Sequence, residues 1–282
     1  MSGTRTPLVF IHGYWHGCWC WSDVLTSVAA ARRIAVAVDM AGHGLDARRP
    51  DLLTRRTIDF GTSTSDGSPV ADITLDQAAD RLIAQIELIG GGQPVTVIAH
   101  SMGGTVLTRV AQRSPQLVAH AVYLAAFMPA SDTPAAAYFT VPENASELIS
   151  GLLQADPLVI GALRLDPGSN NLSYRRGLRR TFFGDVEPAI ADAAIGLLTP
   201  DAPAKIALGE TSLTADGWGA LPRTYVVCSR DMAMRPPLQR RFIRDADAAF
   251  PNNPTSIVTL DASHSPFLSM PRQLAHIVTQ LN

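Results

Sequence analysis

The stretch Val95-Thr96-Val97-Ile98-Ala99-His100-Ser101-Met102-Gly103-Gly104-Thr105-Val106-Leu107 opens as a run of β-branched residues. It stops at a serine among small neighbours and passes at once into helix-compatible sequence. A serine on so sharp a strand-to-helix turn sits in a strained backbone conformation, and bulk two positions to either side would collide. Ala99 and Gly103 meet that demand, and a second glycine, Gly104, lets the helix pack close to the strand. In a chain rich in alanine and glycine the five-residue pattern is weak alone, so the strand before it and the helix after it carry the specificity. Ser101 is therefore read as a nucleophile rather than as a plain helix N-cap.

Outward from this turn, short β-rich runs at 8–12, 34–40, 119–127, 224–229 and 256–260 join 95–100 to make six strands. Helical periodicity at 75–88, 102–113, 237–246 and 267–281 alternates with them. The pattern predicts an α/β fold, a mostly parallel sheet of at least six strands flanked by helices. Residues 130–220 hold helix-like pieces and Pro or Gly punctuation but no strong strand, which suits a helical cap inserted in a core made of 1–129 and 221–282. Residues 48–72 are polar and turn-rich and read as a long surface loop.

A serine nucleophile needs a base, and among the seven histidines His264 alone occupies the loop after the last strand. The base needs a carboxylate that fixes its tautomer, and Asp231 follows the strand at 224–229. Asp132 is the alternative acid and Asp261 a third. The oxyanion needs donors already in place. The N–H of Met102 follows the nucleophile, and the loop His12-Gly13-Tyr14-Trp15-His16-Gly17 offers the Tyr14 N–H. Gly13, Tyr14, Trp15 and Phe127 are the predicted substrate-binding residues. His12 and His16 lie four apart, but on a glycine-containing loop without a neighbouring carboxylate, so they do not read as a metal pair. No cofactor is expected, since Gly42-His43-Gly44 lacks the dinucleotide spacing.

With 23 basic against 25 acidic residues and no charge run, nothing recommends nucleic acid or an anionic membrane as partner. An apolar fraction of 46% over 282 residues is enough for a full core, yet no stretch nears the roughly 18 apolar residues of a membrane span. No secretory leader is visible at Met1–Pro7, so a cytoplasmic protein is expected, with a small-molecule substrate and an architecture compatible with a homodimer. Cys18, Cys20 and Cys228 are odd in number and read as reduced thiols.

Four stretches resemble the α/β-hydrolase superfamily, and within it the branch of plant methylesterases and hydroxynitrile lyases with their bacterial relatives. They are His12-Gly13-Tyr14-Trp15-His16-Gly17-Cys18-Trp19-Cys20-Trp21, His100-Ser101-Met102-Gly103-Gly104, Val122-Tyr123-Leu124-Ala125-Ala126-Phe127-Met128-Pro129, and Pro222 through Asp231. The resemblance implies hydrolysis of a small carboxylic ester by Ser101, His264 and Asp231, and it places the acid on Asp231. In the branch, the plant-type lyases carry a lysine just after the catalytic histidine and a threonine after the first-loop histidine. Ser265 and Gly13 stand there, which favours esterase over lyase. A lactonase is a close variant, and a receptor that kept the pocket but lost turnover is the reading from another class.

Overall fold

The computed structural model describes residues 6–50 and 65–281. Strands β1 (Leu8–Ile11), β2 (Ala35–Val38), β3 (Val95–His100), β4 (Val118–Leu124), β7 (Arg223–Cys228) and β8 (Ser256–Leu260) form one sheet in the order β2-β1-β3-β4-β7-β8. Every neighbouring pair in it is parallel. Both faces are covered. Leu8 and Phe10 pack with α1 (Ser22–Ala30) and α10 (Pro271–Gln280), whereas Val9 and Ile11 pack with α2 (Leu75–Gly90) and α3 (Gly103–Arg113). A parallel strand buried on both sides is mostly apolar, which is why β1 reads as a continuous hydrophobic run and β3 as one broken only by the buried Thr96 and His100. Each large side chain so buried contributes about 2 kcal/mol.

Helix boundaries follow local chemistry. α2 begins in a capping box in which the Thr74 hydroxyl and the Gln77 side chain each satisfy the other residue's backbone N–H, and it ends at Gly91 with φ 54°. The single helix expected over 267–281 is two, α9 (Pro266–Ser269) and α10, because Pro271 lacks an N–H and forces Met270 out of the helical region, to φ −136°. α1 is an element the sequence pattern left unmarked. Its signal was only Val24 and Val28, one turn apart and both fully buried. β4 ends at Leu124, not near 127, where Ala125 turns to φ 41°.

Residues 130–220 leave the sheet after β4 and return at β7. They contain α4 (Pro157–Ile160), α5 (Leu172–Phe182), α6 (Pro188–Leu197) and α7 (Ala204–Leu208), and also an antiparallel ribbon of β5 (Ala162–Arg164) and β6 (Asp201–Pro203). The expectation here is no strong strand, and the two strands found are of three residues each. Three-residue strands are too short to show alternation, and the ribbon is locked by a pair that sequence patterning reads as polar. Arg164 and Asp201 stand opposite each other, fully buried, joined by two 2.7 Å hydrogen bonds. Of the polar loop at 48–72, residues 51–64 lie outside the described residues, while Ser68 donates its N–H to Ile160 of the insertion at 2.8 Å. Among the described residues no helix is long and apolar enough to cross a membrane.

The sheet order carries the consequence for function. From β1 the chain moves outward to β2 and then crosses back to β3 on the other side, so a crevice opens at the carboxyl ends of β1 and β3. The loop after β1 and the turn after β3 face each other across it, with Ile11 in register with Ala99.

Candidate active site

Ser101 occupies the left-handed region at φ 51°, the strained turn that its small neighbours implied. The strain is held by three backbone bonds: Ser101 N–H to Leu124 O at 3.3 Å, and Gly104 and Phe127 N–H to Ser101 O at 3.1 and 3.0 Å. The glycines are needed for close approach. A Cβ on Gly103 would stand 2.5 Å from His12 O, one on Gly104 2.2 Å from Phe127 O, and one on Gly13 2.5 Å from Ser101 Cβ. The first loop and the serine turn are thus packed backbone against backbone.

Asp231 and His264, which leave the ends of the adjacent strands β7 and β8, meet. His264 Nδ1 lies 2.7 Å from Asp231 Oδ2, with both side chains buried. The carboxylate is fully engaged: Oδ1 accepts the Ala233 and Met234 N–H groups at 2.8 and 2.9 Å, and Gln239 donates to Oδ2 at 3.3 Å. Since the acid only accepts, Nδ1 of His264 carries the proton and Nε2 is left as the basic nitrogen. Asp132, the alternative acid, is elsewhere. It is exposed, bonded to Ser131 at 2.9 Å and to Ser212. Asp261 pairs with Arg230 at 3.0 Å.

Gln239 is a residue the sequence did not reveal. It lies fully buried on α8 (Pro236–Ala249), accepts from Cys228 N–H at 2.9 Å and donates to Met234 O at 2.8 Å, so it ties β7 to the acid loop. A glutamine on the inner face of an amphipathic helix was its only mark. His100 is another. Its Nε2 faces His264 O at 2.9 Å, so it must be the donor, and the two rings touch at a tilt of 54° with centroids 4.4 Å apart. Burial drives His100 well below the ordinary histidine range and lowers His16 and His43 to about 3, so all three are neutral donors, buried behind the cleft. His12 donates Nδ1–H to Gly13 O at 2.7 Å and accepts Met40 N–H at 3.1 Å, while His16 is spent on Tyr14 O. Among the described residues no group of three or more His, Cys, Asp or Glu is placed to hold a metal ion.

The first loop is pinned to the inserted ribbon. Trp15, at φ 62°, donates its indole N–H to Leu163 O at 2.9 Å and accepts Thr199 N–H at 2.7 Å, and Tyr14 donates its hydroxyl to Pro203 O at 2.6 Å. Burial pushes the Tyr14 phenol far up, so it stays a neutral donor. Among the described residues the N–H groups of Tyr14 and Met102 donate to no protein acceptor.

Ser101 opens into a cleft of about 470 Å³, mouth included. Tyr14, Trp15, Phe127 and Phe139 line it with the apolar Leu153 and Leu163, and among the described residues Glu147 is the one charged residue in its wall. Of the predicted substrate-binding residues three reach this cleft, and Gly13 lies behind Ser101 instead. Trp21, Phe182 and Phe183 are core, as their burial shows.

Residues 8–277 match the pattern of the alpha/beta hydrolase family. The chain belongs to that family. Curated relatives include Methylesterase 9 of Arabidopsis thaliana, 26% identical over 275 residues and covering 94% of each chain. Methyl jasmonate esterase 1 of Vitis vinifera is 24% identical and covers all of this chain and 98% of the relative. Among solved structures, a pyrethroid hydrolase from Sphingobium faniae JZ-2 superposes with a TM-score of 0.74 at 22% identity over 98% of this chain and 96% of that one. These relatives bear out the methylesterase-like branch of the superfamily read from the motifs.

Proposed function

We propose that this alpha/beta hydrolase cleaves small, uncharged carboxylic esters through an acyl-enzyme, with Ser101 as nucleophile, His264 as base and then acid, and Asp231 as the orienting carboxylate. The observation that carries the reading is the buried 2.7 Å contact between His264 Nδ1 and Asp231, joined to the serine turn through His100, which bonds His264 O at 2.9 Å and precedes Ser101 at φ 51°. His264 Nε2 takes the hydroxyl proton as Ser101 Oγ bonds to the acyl carbon. The resulting oxyanion accepts the uncommitted N–H groups of Tyr14 and Met102, which are worth most in a site that excludes water. The proton then passes from His264 to the departing alcohol, and water, deprotonated by the same nitrogen, releases the acid.

The walls support the substrate class. Aromatic and aliphatic side chains dominate and the one charge is negative, so an apolar acyl group is favoured and an anionic ester disfavoured. Relatives named methylesterases, methyl jasmonate esterase and pyrethroid hydrolase point to the same bond. Residues 130–220 act as the cap that supplies one side of the cleft, through Phe139, Leu153 and Leu163. The lyase reading loses ground because among the described residues no cation lines the cleft to receive a departing cyanide. The test is hydrolysis of p-nitrophenyl esters from acetate to octanoate by wild type and Ser101→Ala. Turnover that vanishes in the variant supports the serine esterase. No turnover of any ester by wild type overturns it.

A further inference from the structure

Asp185 lies between α5 and α6 in the insertion, yet its carboxylate is spent on the two loops that carry the base and its acid. Oδ2 accepts the Ser263 N–H at 3.0 Å and Oδ1 accepts the Ser263 hydroxyl, while Arg230 Nη2 stands 3.5 Å from Oδ2. Ser263 immediately precedes His264, and Arg230 immediately precedes Asp231. The Asp185 side chain is only 9% exposed. Beside it Gly184 lies against the same residue, where a Cβ would stand 3.6 Å from Ser263 Cβ.

The two loops are also laced to each other, with Arg230 N–H to Ala262 O at 2.9 Å and Arg230 Nε to Asp261 at 3.0 Å. The acid loop has further ties to the insertion: Leu148 N–H to Met232 O at 2.9 Å and Arg235 N–H to Asn144 at 3.1 Å. Among the described residues the loop 261–265 has no hydrogen bond to the insertion besides those of Asp185; its other contacts there are apolar, Gly184 against Ser263 and the Phe182 ring against that of His264, centroids 6.1 Å apart. Its remaining hydrogen bonds run to the core, through His100, Ser229, Arg230 and Asp231, or to its own helix.

We propose that Asp185 is a positioning residue through which the insertion sets the orientation of the catalytic base. The inference rests on the esterase reading above. A charged carboxylate taking two hydrogen bonds from one residue fixes the backbone of that residue tightly, and the next residue is the one whose ring must meet both Ser101 and Asp231. Misplacing a catalytic group by about 1 Å costs about 100-fold in rate. Seating the insertion on the core and aiming the base are therefore one event in this molecule.

Asp185→Asn and Ser263→Ala test this. The amide replaces one acceptor with a donor that faces another donor, and Ser263→Ala removes only the hydroxyl. Three quantities are read: kcat and KM on p-nitrophenyl acetate, the rate at which a fluorophosphonate phosphonylates Ser101, and the thermal midpoint. In the probe reaction the Ser101 oxygen displaces fluoride from phosphorus and its proton passes to His264, so the rate reports the serine and base without an acyl pocket. Asp185→Asn is expected to lower kcat and the phosphonylation rate about 10- to 100-fold with KM within about threefold, and Ser263→Ala to lower both rates about threefold. Unchanged rates in both variants, or losses that merely follow the folded fraction, overturn the assignment. If Asp185→Asn does not fold, Ser263→Ala alone decides. A wild type inert to both ester and probe overturns the esterase reading, and this one with it.

Discussion

Asp231→Asn is the sharpest perturbation of this site, because the hydrogen bonds around Asp231 dictate which way the new amide must point. Oδ1 receives two backbone N–H groups, from Ala233 and Met234, and Oδ2 faces His264. An asparagine keeps both backbone bonds only if its carbonyl oxygen takes the Oδ1 position, which puts its NH2 against His264 Nδ1. The opposite orientation sets the NH2 against two donors and leaves both unsatisfied, at about 2–3 kcal/mol or more, so it is populated about 1% of the time or less. In the favoured orientation Nδ1 must accept, the ring proton moves to Nε2, and His264 cannot take the Ser101 proton. The expected loss in kcat is about 10³- to 10⁴-fold, or about 4–5.5 kcal/mol in the barrier, with KM nearly unchanged. The fold should survive, with only the Gln239 contact turned unfavourable. Steady-state hydrolysis of p-nitrophenyl acetate at pH 8, beside Asp132→Asn as the control, reads the effect. A Asp231→Asn enzyme that keeps a tenth of wild-type kcat, or an Asp132→Asn enzyme that loses it, refutes the assignment of the acid.

Three further outcomes are expected. Gly13→Ala puts a Cβ 2.5 Å from Ser101 Cβ and should cut kcat about 100-fold with the fold intact, checked by circular dichroism alongside the ester assay. Arg164→Met strands the buried Asp201 carboxylate and should cost about 3–5 kcal/mol in urea unfolding, while Arg164→Met with Asp201→Leu should recover most of that; equal losses would show that the pair is not the cause. His16 and His43 have folded pKa values near 3, below the ordinary 6.5, so the unfolded chain takes up protons the folded chain refuses. Their stabilisation is whole above about pH 6.5 and drains as pH falls toward 3, by about 2 kcal/mol each at pH 5; an unfolding free energy that stays flat from pH 7 to 5 contradicts the neutral assignment.

Much of this molecule was written in local pattern. Parallel strands buried on both faces call for runs that are apolar nearly throughout, so 8–12 and 95–100 announced themselves. The serine turn requires small residues at fixed offsets, so Ser101 did too. Asp231 and His264 were legible because each follows a strand at the sheet's carboxyl edge, a position that chain order alone supplies. Bonds between residues distant in sequence leave no such mark. Asp201 opposite Arg164, Gln239 beneath the acid and His100 against the His264 backbone are polar side chains at buried sites, and sequence patterning assigns such residues to the surface. Which acid reaches His264, Asp231 or Asp132, was open in the sequence because both follow strands that end at the same edge of the sheet. Only the packing of β7 beside β8 brought one of them to 2.7 Å and left the other in solvent. The sequence by itself determined the sheet, the serine turn and the family, since each rests on neighbours along the chain. The tertiary structure decided the pairing of acid with base, the donors left unpaired in the cleft and the grip of Asp185 on the base loop, since each rests on distances between segments that the chain order does not encode.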